Sequence, residues 1–185
     1  NPYRIAMALN FSGDLARCEQ DYLRAETAYE ESSDLLRDLG AVRDLASVLH
    51  NLGHTYLHLG EVARAQAFFS ESLVIHQEQQ NQPGIAECLI GFAALAVVCG
   101  LPGAGVRLLA AAVAIEGQQI ATAWAATQME YDHYLAQAKA RLTEDQYEAE
   151  HGAGRAFSFD QAIAYAHDVA RQAAALQPRD KPDAL

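Results

Sequence analysis

The sequence predicts an all-α protein built as a short array of paired helices and closed by a helical cap. Three observations predict it. The first is self-similarity at a step of forty residues: Leu9, Leu49 and Leu89 coincide, as do Gly13, Gly53 and Ala93, and Ala16, Tyr56 and Ala96. The same step aligns Ala25, Ala65 and Gly105, then Tyr29, Phe69 and Leu109, then Ser32, Ser72 and Ala112. Small residues recur where two helices approach closely and large apolar ones recur between them, which is the mark of units that bury their apolar faces only against neighbours. The second is composition: 51% of the 185 residues are apolar and only 5 are Pro, as expected of a helical chain with a sizeable core. The third is punctuation, since Gly40, Gly60 and Gly100 fall where the helical pattern breaks.

Each repeat reads as two antiparallel helices. Asn1 is an N-cap and Pro2 occupies a first-turn position that needs no amide proton. Helix A of repeat one runs to about Cys18 and helix B from about Asp21 to Asp38, ended by Gly40. Repeat two runs from about Val42 to Leu59, turns at Gly60 and continues from Glu61 to about Gln80. Asn81-Gln82-Pro83-Gly84 reads as a break, so the third repeat is expected from Ile85 to Cys99, with a turn at Gly100-Leu101-Pro102-Gly103 and a second helix to about Glu116. The array thus covers 1–118, as about 1–40, 41–80 and 81–118. Beyond it the period stops. Gln119 to Ala140 reads as one long helix with Trp124, Met129, Tyr131, Tyr134 and Leu135 as apolar positions. Thr143 with Gln146, and Ser158 with Gln161, are capping boxes, the second opening a helix through Gln172. Residues 119–176 are expected to cap the last apolar face, and the charged, Pro-containing 177–185 to form a flexible tail.

The formal net charge of −11 argues against direct nucleic-acid binding and against anionic membranes, both of which require a basic footprint. No apolar run reaches spanning length; the most apolar stretch, Cys88 to Cys99, belongs to the third repeat. Cys18, Cys88 and Cys99 are odd in number and lie inside helical patterns, as reduced thiols of a cytoplasmic protein do. The chain starts Asn1-Pro2, and the expectation is a piece of a longer polypeptide.

These repeats resemble tetratricopeptide repeats. The likeness is strongest in repeat two, where Leu49, Leu52-Gly53, Tyr56, Gly60, Ala65, Phe69 and Ser72 stand at the signature positions. Repeats one and three depart from it: Ser12 replaces the Leu before Gly13, and Ala93 and Gly105 replace Gly and Ala. The resemblance implies a right-handed α-α superhelix. The forty-residue period is similar to repeats in the C-terminal regions of large bacterial signalling ATPases, including LuxR-type transcriptional regulators. Arg107-Leu108-Leu109-Ala110-Ala111-Ala112 and Arg155-Ala156-Phe157-Ser158-Phe159-Asp160-Gln161-Ala162 resemble the block that closes those arrays, whereas Gln118 to Trp124 departs from the Pro-rich loop expected near 118–127. This implies an effector-sensing or protein-interaction module of a larger regulator.

The same resemblance implies a concave groove lined by the A helices. Repeat one offers Met7, Asn10, Asp14, Arg17 and Cys18; repeat two offers Ser47, His50, Asn51, His54, Leu57 and His58; repeat three offers Glu87, Ile90, Ala94, Val97 and Val98. Such a groove grades from polar to apolar and suits a peptide or protein segment of mixed character. The family's carboxylate-binding version needs Lys partners that are absent beside Asn51, and is rejected. His50, His54 and His58 step by four and form a stripe. One pair could chelate a metal, but the outer two lie roughly 12 Å apart along the axis, too far to share an ion held at about 2 Å. A site would need Asp14, Cys18 or Glu87 as well, so no metal is assigned and the three histidines stand only as its candidates. No cofactor is implied.

Gly100 to Gly105 lacks the preceding strand and the Lys-Ser/Thr of a phosphate loop, and Gly152-Ala153-Gly154-Arg155 is a helix end. Paired carboxylates such as Glu30-Glu31 and Glu144-Asp145 are solvated faces. Trp124, Tyr131 and Tyr134 read as core, or as an aromatic pocket for a small effector. No nucleophile, base and orienting group emerge together, so an enzyme is not expected. Three readings remain: a partner-binding module, a small-molecule or metal sensor, and a scaffold that pairs as a homodimer through apolar ends of the array.

Overall fold

The computed structural model describes residues 1–116 and 125–176. A twenty-residue step governs the first hundred residues. Backbone φ is positive at Gln20, Gly40, Gly60, Gln80 and Gly100, the five places where the chain reverses. At each, two amides turn back onto the preceding helix, as in Gly60 N to Leu57 O at 3.1 Å and Glu61 N to Tyr56 O at 2.9 Å. This is the double bond of a helix ended by one left-handed residue, and it satisfies carbonyls the helix would leave orphaned. Glycine holds that conformation without strain, while Gln20 and Gln80 hold it at a cost of about 1 kcal/mol.

Identical stops give identical helices. α1 (Pro2–Cys18), α2 (Tyr22–Asp38), α3 (Val42–His58), α4 (Val62–Glu78) and α5 (Gln82–Val98) are each 17 residues long, followed by α6 (Pro102–Glu116). Helix α5 begins three residues earlier than expected. Asn81 is its N-cap, accepting from Gly84 N, and Pro83 sits in the first turn, where no amide hydrogen bond is lost. Pro102 likewise opens α6 rather than forming the turn before it.

Three hairpins, α1–α2, α3–α4 and α5–α6, stack side by side through α2 against α3 and α4 against α5. This is the tetratricopeptide-like superhelix of paired helices, with no strand among the described residues. The close approach inside each hairpin follows paired volumes. A Cβ on Gly13 would lie 2.5 Å from the Tyr29 ring, and one on Gly53 would lie 2.4 Å from the Phe69 ring. Where the third hairpin carries Ala93 in place of glycine, the facing residue shrinks to Leu109. The Phe69 ring is also pressed from the next hairpin, because a Cβ on Gly91 would meet it at 2.5 Å. A second recurring bond joins the helices of a pair: Ser32 Oγ donates to Ala6 O at 2.8 Å and Ser72 Oγ to Ala46 O at 2.7 Å. Ala112 cannot repeat it.

The remaining helices cover the far hairpin. α7 (Ala125–Lys139), α8 (Glu144–Arg155) and α9 (Phe159–Leu176) follow in order. Both capping boxes form, at Thr143–Gln146 and Ser158–Gln161, and α9 ends one turn beyond the expected Gln172. α8 lies along α6 so closely that a Cβ on Gly154 would stand 2.1 Å from the Arg107 carbonyl oxygen. Arg107 fixes the same contact, its Nη2 2.6 Å from Glu150 Oε2. α9 packs on α5 and α6 with Ala162, Ala166, Val169 and Ala173 buried. α7 runs over the face lined by α1, α3 and α5, touching α1, α5 and α6. Residues 119–124 of the expected long helix, Trp124 among them, and the tail 177–185 lie outside the described residues. No helix among the described residues is long and apolar enough to cross a membrane.

Candidate functional site

The inner face of the array is the surface formed by the A helices α1, α3 and α5, and its chemistry changes from one hairpin to the next at equivalent positions. In the first, Asp14 accepts from the Tyr29 hydroxyl at 2.7 Å. In the second, the equivalent pair is His54 and Phe69, with ring centroids 5.1 Å apart. In the third it is Ala94 and Leu109, both buried. The polar end is cross-linked between hairpins. Asn51 Nδ2 donates to Asn10 Oδ1 at 3.3 Å and to Asp14 Oδ1 at 3.2 Å, while Arg17 Nη1 donates to Asn51 Oδ1 at 2.9 Å.

Arg17 is nearly inaccessible, at 3% exposure. Burial opposes its charge, but the attraction of Tyr29, Glu130 and Asp14 outweighs that and holds its pKa above the ordinary arginine value. Asp14 is shifted the other way from a typical salt-bridged carboxylate. Burial raises its pKa, only partly offset by the Tyr29 hydrogen bond and the Arg17 charge.

The histidine stripe divides into two environments. His50 and His54 are buried at 2% and 0% exposure. Their rings stand edge to face 4.7 Å apart, and both pack against Phe69. Burial, reinforced by the Arg17 charge, pushes the His50 pKa down to about 3. Burial and then the neighbouring His50 lower His54 well below its ordinary value. His58 is half-buried at the rim. It stacks on Tyr22 at 4.3 Å with planes 7° apart, and its Nε2 lies 3.0 Å from Glu130 Oε2. Glu130 reaches in from α7. It also lies 3.6 Å from His54 Nδ1 and 3.7 Å from Arg17 Nε, and it is only 6% exposed.

The expectation of an open groove therefore needs correction along much of its length, since Asn10 and Arg17 at the polar end are buried as well. His50, His54, Leu57, Ile90, Ala94 and Val97, expected at exposed groove positions, are all buried. α7 packs along α5 and α6, α9 packs on α5 as well, and Leu57 belongs to the core of the array. Two clefts remain. One of about 190 Å³ lies at the polar end and is lined by Met7, Asn10, Asp14, Ser47, Asn51 and Glu87, with Ala126 and Thr127 of α7. The other, of about 530 Å³, lies between the ends of α1 and α3 and the side of α7, with Arg17, Cys18, Tyr22, His58, Met129 and Glu130 on its walls. Val98 remains exposed. Among the described residues no group of three or more His, Cys, Asp or Glu is placed to hold a metal ion.

Glu130, Tyr22 and Met129 were not among the expected groove residues. Glu130 carries a legible signal, because Ala126, Glu130, Tyr134 and Ala138 step by four along α7 and are all buried. A carboxylate on that stripe must find cationic partners. The partners themselves come from α1 and α3, which no spacing within α7 reveals.

Buried neutral histidines give a pH prediction. Folded His50 takes its proton only near pH 3, and folded His76, likewise depressed by burial, near pH 4. An unfolded imidazole titrates near 6.5. Between these values the unfolded chain binds more protons, so stability falls as pH drops below about 6.5, by about 1.4 kcal/mol per pH unit for each such histidine. Asp14, with its raised pKa, acts in the opposite sense but is one group against three. Urea unfolding midpoints should decline progressively from pH 6.5 to 4.5, and His50→Leu should reduce the slope. A midpoint that stays flat over that range contradicts the buried neutral stripe.

Comparison with protein families places the fold's class. Residues 4–78, which span α1 to the end of α4, match the family model of the tetratricopeptide repeat. This supports a tetratricopeptide-type domain in the first two hairpins, and such repeats generally mediate protein–protein interaction. Searches among curated proteins and among solved structures found no match for the chain.

Proposed function

We propose that this chain is a non-catalytic protein-interaction module of a larger bacterial regulator of signalling or transcription, working in the cytoplasm. Its inner face takes a peptide or protein segment, and the rest of the parent protein reads the change. The observation that carries this reading is the polar end of that face. Asn10, Asp14, Ser47 and Asn51 of two successive hairpins border a cleft that α7 leaves open. Asn51 bonds Asn10, Asp14 and Arg17 into a fixed polar edge beside Ser47, and an edge of fixed geometry gives specificity to an extended or helical ligand.

A second surface supports membership in a larger assembly. Ile5 and Leu15 are 54% and 57% exposed on α1, whereas Leu45 and Thr55, forty residues on, are buried under the preceding hairpin. Apolar residues at an inter-repeat register suit a covering partner. The three cysteines are free thiols, and burial pushes that of Cys88 up to about 12, which suits a reducing compartment. The test is the mass of the native polypeptide in source cells by immunoblot. The reading requires a band far above 20.1 kDa; a band at that mass contradicts the regulator context.

The alternative reading is a small-effector sensor, and the larger cleft favours it. Its volume of about 530 Å³ falls within the roughly 300–1,000 Å³ of ligand pockets, and Tyr22, His58 and Met129 offer stacking surfaces. That reading requires an effector-dependent rise in melting temperature that His58→Ala removes.

A further inference from the structure

The inner face and α7 are mismatched in hydrogen-bonding capacity. Three basic groups converge on one carboxylate: Arg17 Nε at 3.7 Å, His54 Nδ1 at 3.6 Å and His58 Nε2 at 3.0 Å from Glu130. Only the last is within hydrogen-bond reach. Arg17 Nε and Nη2 and both ring nitrogens of His50 and of His54 are buried without a hydrogen-bond partner among the described residues. Buried polar groups are ordinarily paired, and leaving them unpaired costs stability. α7 brings a single buried charged group to this seat, since the rest of its buried stripe is Ala126, Thr127, Tyr134 and Ala138. It fits the face in shape and underfits it in chemistry.

We infer that the inner face is a receptor for an acidic helical segment of a partner protein, and that α7 is the resident occupant which that segment displaces. This rests on the proposal that the array binds a protein segment on its inner face. The segment places a carboxylate where Glu130 sits and a second acceptor one helical turn away, so that Arg17 and His54 gain the bonds that α7 does not supply. The exchange is driven only by that difference in interaction, because a ligand that fits the face no better than α7 shifts nothing. It must also overcome the advantage of a tethered helix, whose effective concentration is in the millimolar range. The net charge of −11 repels an acidic segment at long range, so recognition resides in the buried Arg17 charge and the histidine ring donors beside it and not in steering.

The test uses the full chain and a fluorescein-labelled peptide of residues 125–139, followed by anisotropy. Tyr134 is 2% exposed and its ring lies 6.5 Å from that of His54, so Tyr134→Ala loosens the resident helix and leaves Arg17, His54 and His58 in place. The peptide should bind the Tyr134→Ala chain at least tenfold more tightly than the wild-type chain. A peptide carrying Glu130→Gln should lose that gain. If Tyr134→Ala fails to fold, Glu130→Gln in the chain serves as the second loosened variant. Equal binding of both peptides, or no binding to a variant that still melts cooperatively, overturns the inference. Loss of the cooperative melt in both variants also overturns it, by making α7 an integral part of the core. None of these results bears on the polar cleft or on the native mass, so the broader reading stands or falls separately.

Discussion

Phe69→Ala is expected to lower the unfolding free energy by about 3–5 kcal/mol, the largest effect of any single truncation in the array. The ring is fully buried and is gripped from two hairpins at once, by the backbone at Gly53 and at Gly91. It also supports His50, His54 and Phe92, at ring separations of 5.7, 5.1 and 6.0 Å. Removing it opens a cavity that neither helix can close, because the facing residues have no side chain with which to fill it. Against a total stability of about 5–15 kcal/mol, that is a large fraction. Phe69→Leu is expected to cost far less, of the order of 1.5 kcal/mol, since the third hairpin already works with leucine at the equivalent position, Leu109. Urea titrations of the two variants at neutral pH give the comparison. Similar losses for both would mean that the site collapses on truncation and that the paired-volume account of the hairpins fails.

Glu130→Ala is the second large effect, and it should be local. The carboxylate and Arg17 are a buried pair, with side-chain exposures of 7% and 2%. Removing one partner of such a pair typically costs about 3–5 kcal/mol, because the other charge is left without compensation. Arg17 keeps its bond to Asn51, and the first two hairpins keep their packing on each other through α2 and α3, so the loss falls chiefly on the seating of α7. Amide hydrogen exchange should therefore accelerate in 125–139 while α2 and α4 keep their protection. Glu130→Gln should be milder, since an amide oxygen can still accept from His58. Uniform acceleration through all helices, or a cost below about 1 kcal/mol, would mean that the carboxylate does not hold α7 in place.

Much of this fold was legible in the sequence because its repeating element is a local one. The forty-residue step was visible in Gly13, Gly53 and Ala93 against Tyr29, Phe69 and Leu109, and the first two of those pairs prove to face each other within their hairpins. The finer twenty-residue step was partly hidden, because two of its five left-handed positions are Gln20 and Gln80, which carry no turn signature. The start of α5 was misplaced for the opposite reason. Pro83 and Gly84 look like a break, yet a proline in the first turn loses no hydrogen bond and Asn81 supplies the cap.

The site was less legible. Residues of the A helices were identified at their correct spacings, but their exposure depended on where α7 lies. That is set by contacts across a gap of more than seventy residues, such as His58 with Glu130. Sequence spacing reports neighbours along a helix, so the polar cluster within α1 and α3 could be anticipated in part. The carboxylate that completes it could not, although a lone Glu on the stripe Ala126, Tyr134, Ala138 was the available hint.

The function proposed here requires α7 to lie on the inner face with Glu130 among Arg17, His54 and His58. Nuclear Overhauser contacts between selectively labelled His and Tyr rings test it most directly. The structure places His58 and Tyr134 with ring centroids 6.1 Å apart, and Tyr22 on the other side of His58 at 4.3 Å. Cross-peaks from His58 to both tyrosines are the expected result. A His58–Tyr22 cross-peak without one to Tyr134 would show an inner face that α7 leaves open, and would remove the resident helix from the account.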